Sequence, residues 1–190
     1  MLSSIPMNSN KTRFFIALIP PQNIQDYANQ VIAELNAHYQ TRTSNAPPHI
    51  TLQPPFLWQQ DKVVELESCL QAFAQTRSTI SVTLSNFGAF APRVLFISVD
   101  KTPELLSLQA QMMACLENSL GIVDPMSKQR SFTPHLTVAS RNLKRNTFRQ
   151  AWAELQERQI EFSFISDRLT LLIHNGACWQ IQAEFSFVKI

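Results

Sequence analysis

Two tetrapeptides carry side chains that could do chemistry together: His49-Ile50-Thr51-Leu52 and His135-Leu136-Thr137-Val138. Each runs His-apolar-Thr-apolar, and each follows a proline, Pro48 or Pro134. Alternation with period two predicts a short strand. Residues i and i+2 of a strand share a face. His49 therefore sits beside Thr51 and His135 beside Thr137, while Ile50, Leu52, Leu136 and Val138 point to a core. Two such strands facing one space would supply two imidazoles and two hydroxyls. A histidine pKa of about 6.5 lets one imidazole take a proton while the other gives one. Together these groups could move protons around a single phosphate.

Other chemistries fit less well. One His-x-Thr strand alone is most simply a structural histidine; two copies at matched places are not. Zinc sites need three or four closely spaced ligands. The chain has no H-E-x-x-H or H-x-H, and no acidic residue flanks either motif. No metal and no cofactor is expected. There is no Gly-x-Ser-x-Gly elbow, and no cysteine lies near either histidine. His38, beside Tyr39, reads as a cation at a helix end. His174, beside Asn175-Gly176, reads as a turn residue.

The elements that must position the motifs come twice. A buried strand (Arg13 to Ile19) is followed by an amphipathic helix over 22–40, the first His strand, a helix over about 60–76 and a strand through Ile80, Val82 and Leu84. Pro54-Pro55 is expected to end the first His strand, and Asn86–Arg93 reads as a loop. A second buried strand (Val94–Val99) is followed by a helix opened by Pro103, the second His strand, a helix through Phe148, Trp152 and Leu155, and a strand through Ile160, Phe162 and Phe164. We read an internal duplication with repeat units of about 13–85 and 94–166. A C-terminal hairpin over 167–189 turns at Asn175-Gly176. Residues 1–12 read as a loose tail and 13–190 as a single bilobal domain. The expected fold is α+β: a pseudo-twofold duplication, with two antiparallel-rich sheets flanked by helices and a cleft between them.

Composition narrows the setting. Charged residues make up 16% of the 190 and the net charge is +2, so no general nucleic-acid coat is expected. Cys69, Cys115 and Cys178 are scattered and lack a C-x-x-C, which fits a reducing cytoplasm better than a disulfide framework. The early apolar run Phe14–Ile19 stops at Pro20-Pro21 and is too short to span a membrane. A monomer is expected. Around His135, Lys128, Arg130, Arg141, Lys144, Arg145 and Arg149 follow one another with no acidic residue between. They read as a solvated face or a local field that gathers phosphate esters. Phe132 and Phe56, near the two histidines, could stack a base, although core packing is the default for phenylalanine.

Three segments resemble the 2H phosphoesterase superfamily and, within it, the RNA 2′,3′-cyclic phosphodiesterase branch often labelled the 2′-5′ RNA ligase family. They are Arg13-Phe14-Phe15-Ile16-Ala17-Leu18, Phe87-Gly88-Ala89-Phe90-Ala91-Pro92-Arg93-Val94-Leu95, and Ser131-Phe132-Thr133-Pro134-His135-Leu136-Thr137-Val138-Ala139. The resemblance spans roughly 13–188. It implies an enzyme that opens the 2′,3′-cyclic phosphate end of RNA or a nucleotide without metal, leaving a 2′-phosphate, and that in reverse makes a 2′-5′ linkage. His49, Thr51, His135 and Thr137 would be catalytic, with acid and base unassigned. Phe56, Arg93, Phe132 and Arg141 would bind substrate, the arginines on phosphate or backbone. Alternatives are another cyclic phosphate, such as ADP-ribose cyclic phosphate, a 2′-5′ oligonucleotide, or a non-catalytic RNA-end binding module.

Overall fold

The computed structural model describes residues 10–126 and 128–188. In chain order its elements are β1 (Lys11–Leu18), α1 (Gln22–Tyr39), β2 (Ile50–Gln59), a 3-10 turn (Gln60–Lys62), α2 (Val63–Ala74), β3 (Ile80–Phe90), β4 (Val94–Val99), α3 (Pro103–Leu120), β5 (His135–Ala139), α4 (Arg145–Leu155), β6 (Glu161–Ser166), β7 (Arg168–His174) and β8 (Trp179–Ser186). The strands form an antiparallel sheet in the order β6-β3-β4-β5-β2-β1-β7-β8. The two expected sheets are its halves, β8-β7-β1-β2 and β5-β4-β3-β6. They join at the centre through the registered pair Ile50↔Leu136. The fold is α+β, and the two His strands lie side by side at its middle. β3, which closes the first repeat unit in sequence, sits between β4 and β6, and β7 takes the corresponding place beside β1.

Alternation along the strands explains the layering. Phe14, Ile16, Leu18, Ile50, Leu52, Leu136 and Val138 are buried in one core with the apolar stripes of the helices, such as Ile24, Ala28, Val31 and Leu35 of α1. Burying each large apolar side chain contributes roughly 1.5–3 kcal/mol. The opposite face carries the histidines and threonines, together with a small cluster of Phe15, Ala17 and Leu172. Helix ends follow local rules. Thr102 caps α3, its Oγ1 accepting from the Leu105 N–H (3.2 Å), and α3 stops at Gly121 with φ of 66°. No described helix is long and apolar enough to cross a membrane.

Three local expectations are corrected. β2 does not end at Pro54-Pro55 but runs on to Gln59. Register shifts opposite Phe14–Ala17 bulge the strand there. Past Ile50 the other edge of β2 has left β5, so the prolines forfeit no ladder bond. Asn86–Arg93 is not a loop. Asn86, at φ of 55°, sits in a bulge between Leu84 and Phe87, and β3 continues to Phe90 before a turn closed by the Arg93 N–H on the Phe90 carbonyl (2.9 Å). Lys11 and Thr12, read as tail, pair with Gln59 and Trp58; tail residues 1–9 and the hairpin's last expected residue, 189, lie outside the described residues.

Candidate active site

The central pair sets the geometry. With Ile50 opposite Leu136 in antiparallel register, Thr51 lies across from His135 and His49 across from Thr137. Neighbouring pairs extend these into two rows on the non-core face. One runs Thr170, Ala17, Thr51, His135, Ser98; the other runs His49, Thr137, Phe96, Gly88. Each row holds one histidine and one threonine of the quartet, and the rows exchange under the pseudo-twofold through Ile50/Leu136. Directly opposed side chains start about 4.5–5.5 Å apart and diagonal ones about 7–8 Å apart. The four groups therefore surround a space of phosphate size.

Both imidazoles are held in the same way. His49 Nδ1 bonds the Pro47 carbonyl at 2.7 Å, and His135 Nδ1 bonds the Thr133 carbonyl at 2.8 Å. A carbonyl only accepts, so each Nδ1 carries the hydrogen and each Nε2 is free to exchange a proton. Each Pro-His motif thus fixes a tautomer through the carbonyl two residues upstream. Burial pushes both pKa values below the ordinary histidine value, and the bond to the carbonyl partly opposes this. A charge on His135 would repel one on His49 and lowers the His49 pKa a little further.

Aromatic rings brace both histidines. Phe15 lies 4.7 Å from the His49 ring, and Trp179 packs edge-on against Phe15 at 4.6 Å. Phe96 and Phe90 each lie 5.0 Å from the His135 ring and 4.5 Å from one another. Gly88 makes this possible: a Cβ there would fall 2.3 Å from Phe96 Cε2 and 2.9 Å from Ser98 Oγ. His174 is more than a turn residue. Its Nδ1 accepts from Gly176 N–H (3.1 Å) and Arg13 Nη2 (3.2 Å), and its ring packs 4.9 Å from Trp179. It holds the tautomer opposite to that of His49 and His135.

The other expected binding residues are placed unequally. Phe132 lines a cavity shared with Thr51, His135 and Phe90. Arg93 is exposed in the β3–β4 turn, three residues from Phe90. Arg141 is exposed, and its main chain pairs with Arg42 beyond β5 (2.9 and 3.1 Å). Phe56 is not at the site. It keeps the parity of Ile50 and Leu52 along β2, opposite to that of Thr51, so it lies opposite Phe14 (6.3 Å between rings) against the main core. Among the described residues no three or more His, Cys, Asp or Glu converge in a way that could hold a metal ion. Residues overlooked in the sequence are Phe15, Phe90, Phe96, Gly88 and Trp179. The doublet Phe14-Phe15 was a readable signal, since adjacent strand residues must face opposite sides.

The antiparallel α+β sheet thus brings the two His-x-Thr strands side by side at its centre. The model of the 2′-5′ RNA ligase superfamily matches residues 20–177, and the chain belongs to that family. The chain is 27% identical over 179 residues to the Bacillus pumilus protein named "Putative phosphoesterase", covering 91% of this chain and 96% of that one. A Bacillus mycoides protein of the same designation is 29% identical over 178 residues, covering 92% and 96%. Escherichia coli LigT in apo form superposes with a TM-score of 0.67 at 18% identity, covering 95% and 99% of the two chains, and shares the fold. LigT has also been crystallised with 3′-AMP and with phosphate.

Proposed function

We propose that this chain hydrolyses the 2′,3′-cyclic phosphate ends of RNA or nucleotides to 2′-phosphates, using its own side chains and no metal. The observation that carries this reading is the pair of cross-strand rows, each with one imidazole and one hydroxyl around a common space. One Nε2 removes a proton from water as the water oxygen bonds to phosphorus. The phosphorus–O3′ bond breaks, and the other imidazolium gives O3′ its proton. Thr51 and Thr137 donate to the non-bridging oxygens as charge builds on them. In the free protein burial favours neutral histidines, so the anionic phosphate itself favours protonation of the acid. With a 5′-hydroxyl in place of water, the same steps form a 2′-5′ linkage. Complexes of LigT with 3′-AMP and phosphate support a site for phosphate and nucleoside in this fold.

Kinetics of His49→Ala and His135→Ala on a nucleoside 2′,3′-cyclic phosphate test the reading. Each general acid or base is worth on the order of 10²–10⁴-fold, so each variant should lose at least 10²-fold in kcat while unfolding at the wild-type denaturant midpoint. Two folded variants that keep near-wild-type turnover would refute it.

A further inference from the structure

We infer that Cys69 and Cys115 form a reversible oxidation site, at which reaction with a small-molecule disulfide links α2 to α3 through a protein disulfide. Both helices pack on the core side of the sheet, so this site is separate from the quartet. The two cysteines are 46 positions apart in the chain, yet their sulfurs lie 3.7 Å apart and are hydrogen-bonded to one another. Each stands at the edge of its helix's buried stripe, Cys69 three residues after Leu66 and Cys115 three residues after Met112. Both are half-buried, and both line a hollow between the two helices, through which a small reagent can reach them. Ser119, one turn beyond Cys115, also hydrogen-bonds the Cys69 side chain. Cys178 sits apart in the β7–β8 turn, beside Asn175 (3.5 Å).

The place of the pair in the fold gives the bond a consequence. α2 belongs to the first repeat unit and α3 to the second, and they meet at one of two helix seams related by the pseudo-twofold; the other joins α1 to α4. The α1–α4 seam is tied by polar contacts: Arg158 pairs with Glu34 at 2.8 Å, and the Tyr39 hydroxyl donates to Glu154. The α2–α3 seam carries the thiol pair, with Arg77 donating to Gln111 along the same hollow. Burial, and then the hydrogen bond with Cys115, push the Cys69 thiol up to about 11. Cys69 therefore keeps its proton, and Cys115 is the sulfur that attacks first. Its thiolate displaces one thiolate from the small disulfide and forms a mixed disulfide. The Cys69 sulfur then attacks the Cys115 sulfur, its proton goes to the departing thiolate, and the Cys69–Cys115 bond closes. The two cysteines are oxidised, and the small disulfide is reduced to two thiols.

The test equilibrates the whole chain with glutathione disulfide at mildly alkaline pH, quenches with N-ethylmaleimide and maps the cysteines by mass spectrometry. Cys69 and Cys115 should be recovered linked to each other, at least about tenfold over a mixed disulfide at either, because the second thiol is already in place. Cys178 should stay outside the link. Closing a loop of this length should raise the melting temperature by roughly 5–15 °C over the reduced protein, and dithiothreitol should reverse the shift. Cys69→Ser should lose the link and the shift and trap glutathione on Cys115, whereas Cys115→Ser should leave Cys69 largely unreacted. Separate recovery of the two cysteines from wild type would overturn the inference. So would a link that leaves the melting temperature unchanged or lowers it, and both results are read on wild type whether or not the variants fold.

Discussion

Replacing Gly88 by alanine perturbs the site without removing any group that touches substrate. The new Cβ would lie 2.3 Å from Cε2 and 2.7 Å from Cζ of Phe96. The ring must withdraw about 1 Å to reach ordinary contact. It cannot do so freely, since it packs 4.5 Å from Phe90 and 5.0 Å from His135, and Phe96 is only 6% exposed. Overpacking of this kind costs about 1–3 kcal/mol, and the displaced ring pushes on the imidazole it braces. A misplacement of about 1 Å in a reacting group can lower the rate by about 10²-fold. Gly88→Ala should therefore lower kcat by 10- to 100-fold on a nucleoside cyclic phosphate, leave KM within a few-fold, and shift the urea midpoint downward. Gly88→Ala/Phe96→Leu removes the clashing ring atoms and should recover stability relative to the sum of the single variants, with a coupling of roughly 0.5–3 kcal/mol. A Gly88→Ala protein with wild-type kcat and midpoint, or a double variant with no coupling, would refute the positioning role of Gly88.

The remaining predictions concern the same face. Burial lowers both histidine pKa values, and turnover needs one imidazole protonated and one neutral. The kcat/KM profile should thus be a bell centred below about pH 6.5: it falls on the alkaline side as the acid loses its proton and on the acid side as the base gains one. A profile still rising at pH 8 contradicts this assignment. Thr51→Val should lower kcat by roughly 10²–10³-fold, the scale of losing one donor to a charged transition state, with unchanged thermal stability. Thr170, two strands along the same row, should behave oppositely. Its Oγ1 is buried without a partner, so Thr170→Val should leave turnover intact and hold or raise stability by about 1 kcal/mol; a clear loss of stability would show that the hydroxyl is used.

That His49, Thr51, His135 and Thr137 share one face was legible in the chain, because period-two alternation fixes which side of a strand a residue faces. His49 and Thr51 could not share a face without sending Ile50 and Leu52 to the core. The helices were legible for the same kind of reason: Ile24, Ala28, Val31 and Leu35 recur at helical spacing and are buried together. The braces around the histidines were not. Phe96, Phe90 and Gly88 meet His135 through strand pairings between distant segments, and Trp179 reaches Phe15 from the C-terminal hairpin. Such pairings follow from register, which single residues do not announce. Phe56 was misplaced because the proline pair reads as a strand end; β2 in fact continues to Gln59, and Phe56 then falls on the same side as Ile50 and Leu52.

The central claim is tested most directly by phosphorus NMR of a reaction of the purified protein with adenosine 2′,3′-cyclic phosphate in excess EDTA. The account predicts conversion of the cyclic phosphate resonance into that of the 2′-monophosphate, with no 3′-monophosphate. A cyclic phosphate left unchanged under these conditions, or a product carrying its phosphate on O3′, would contradict it.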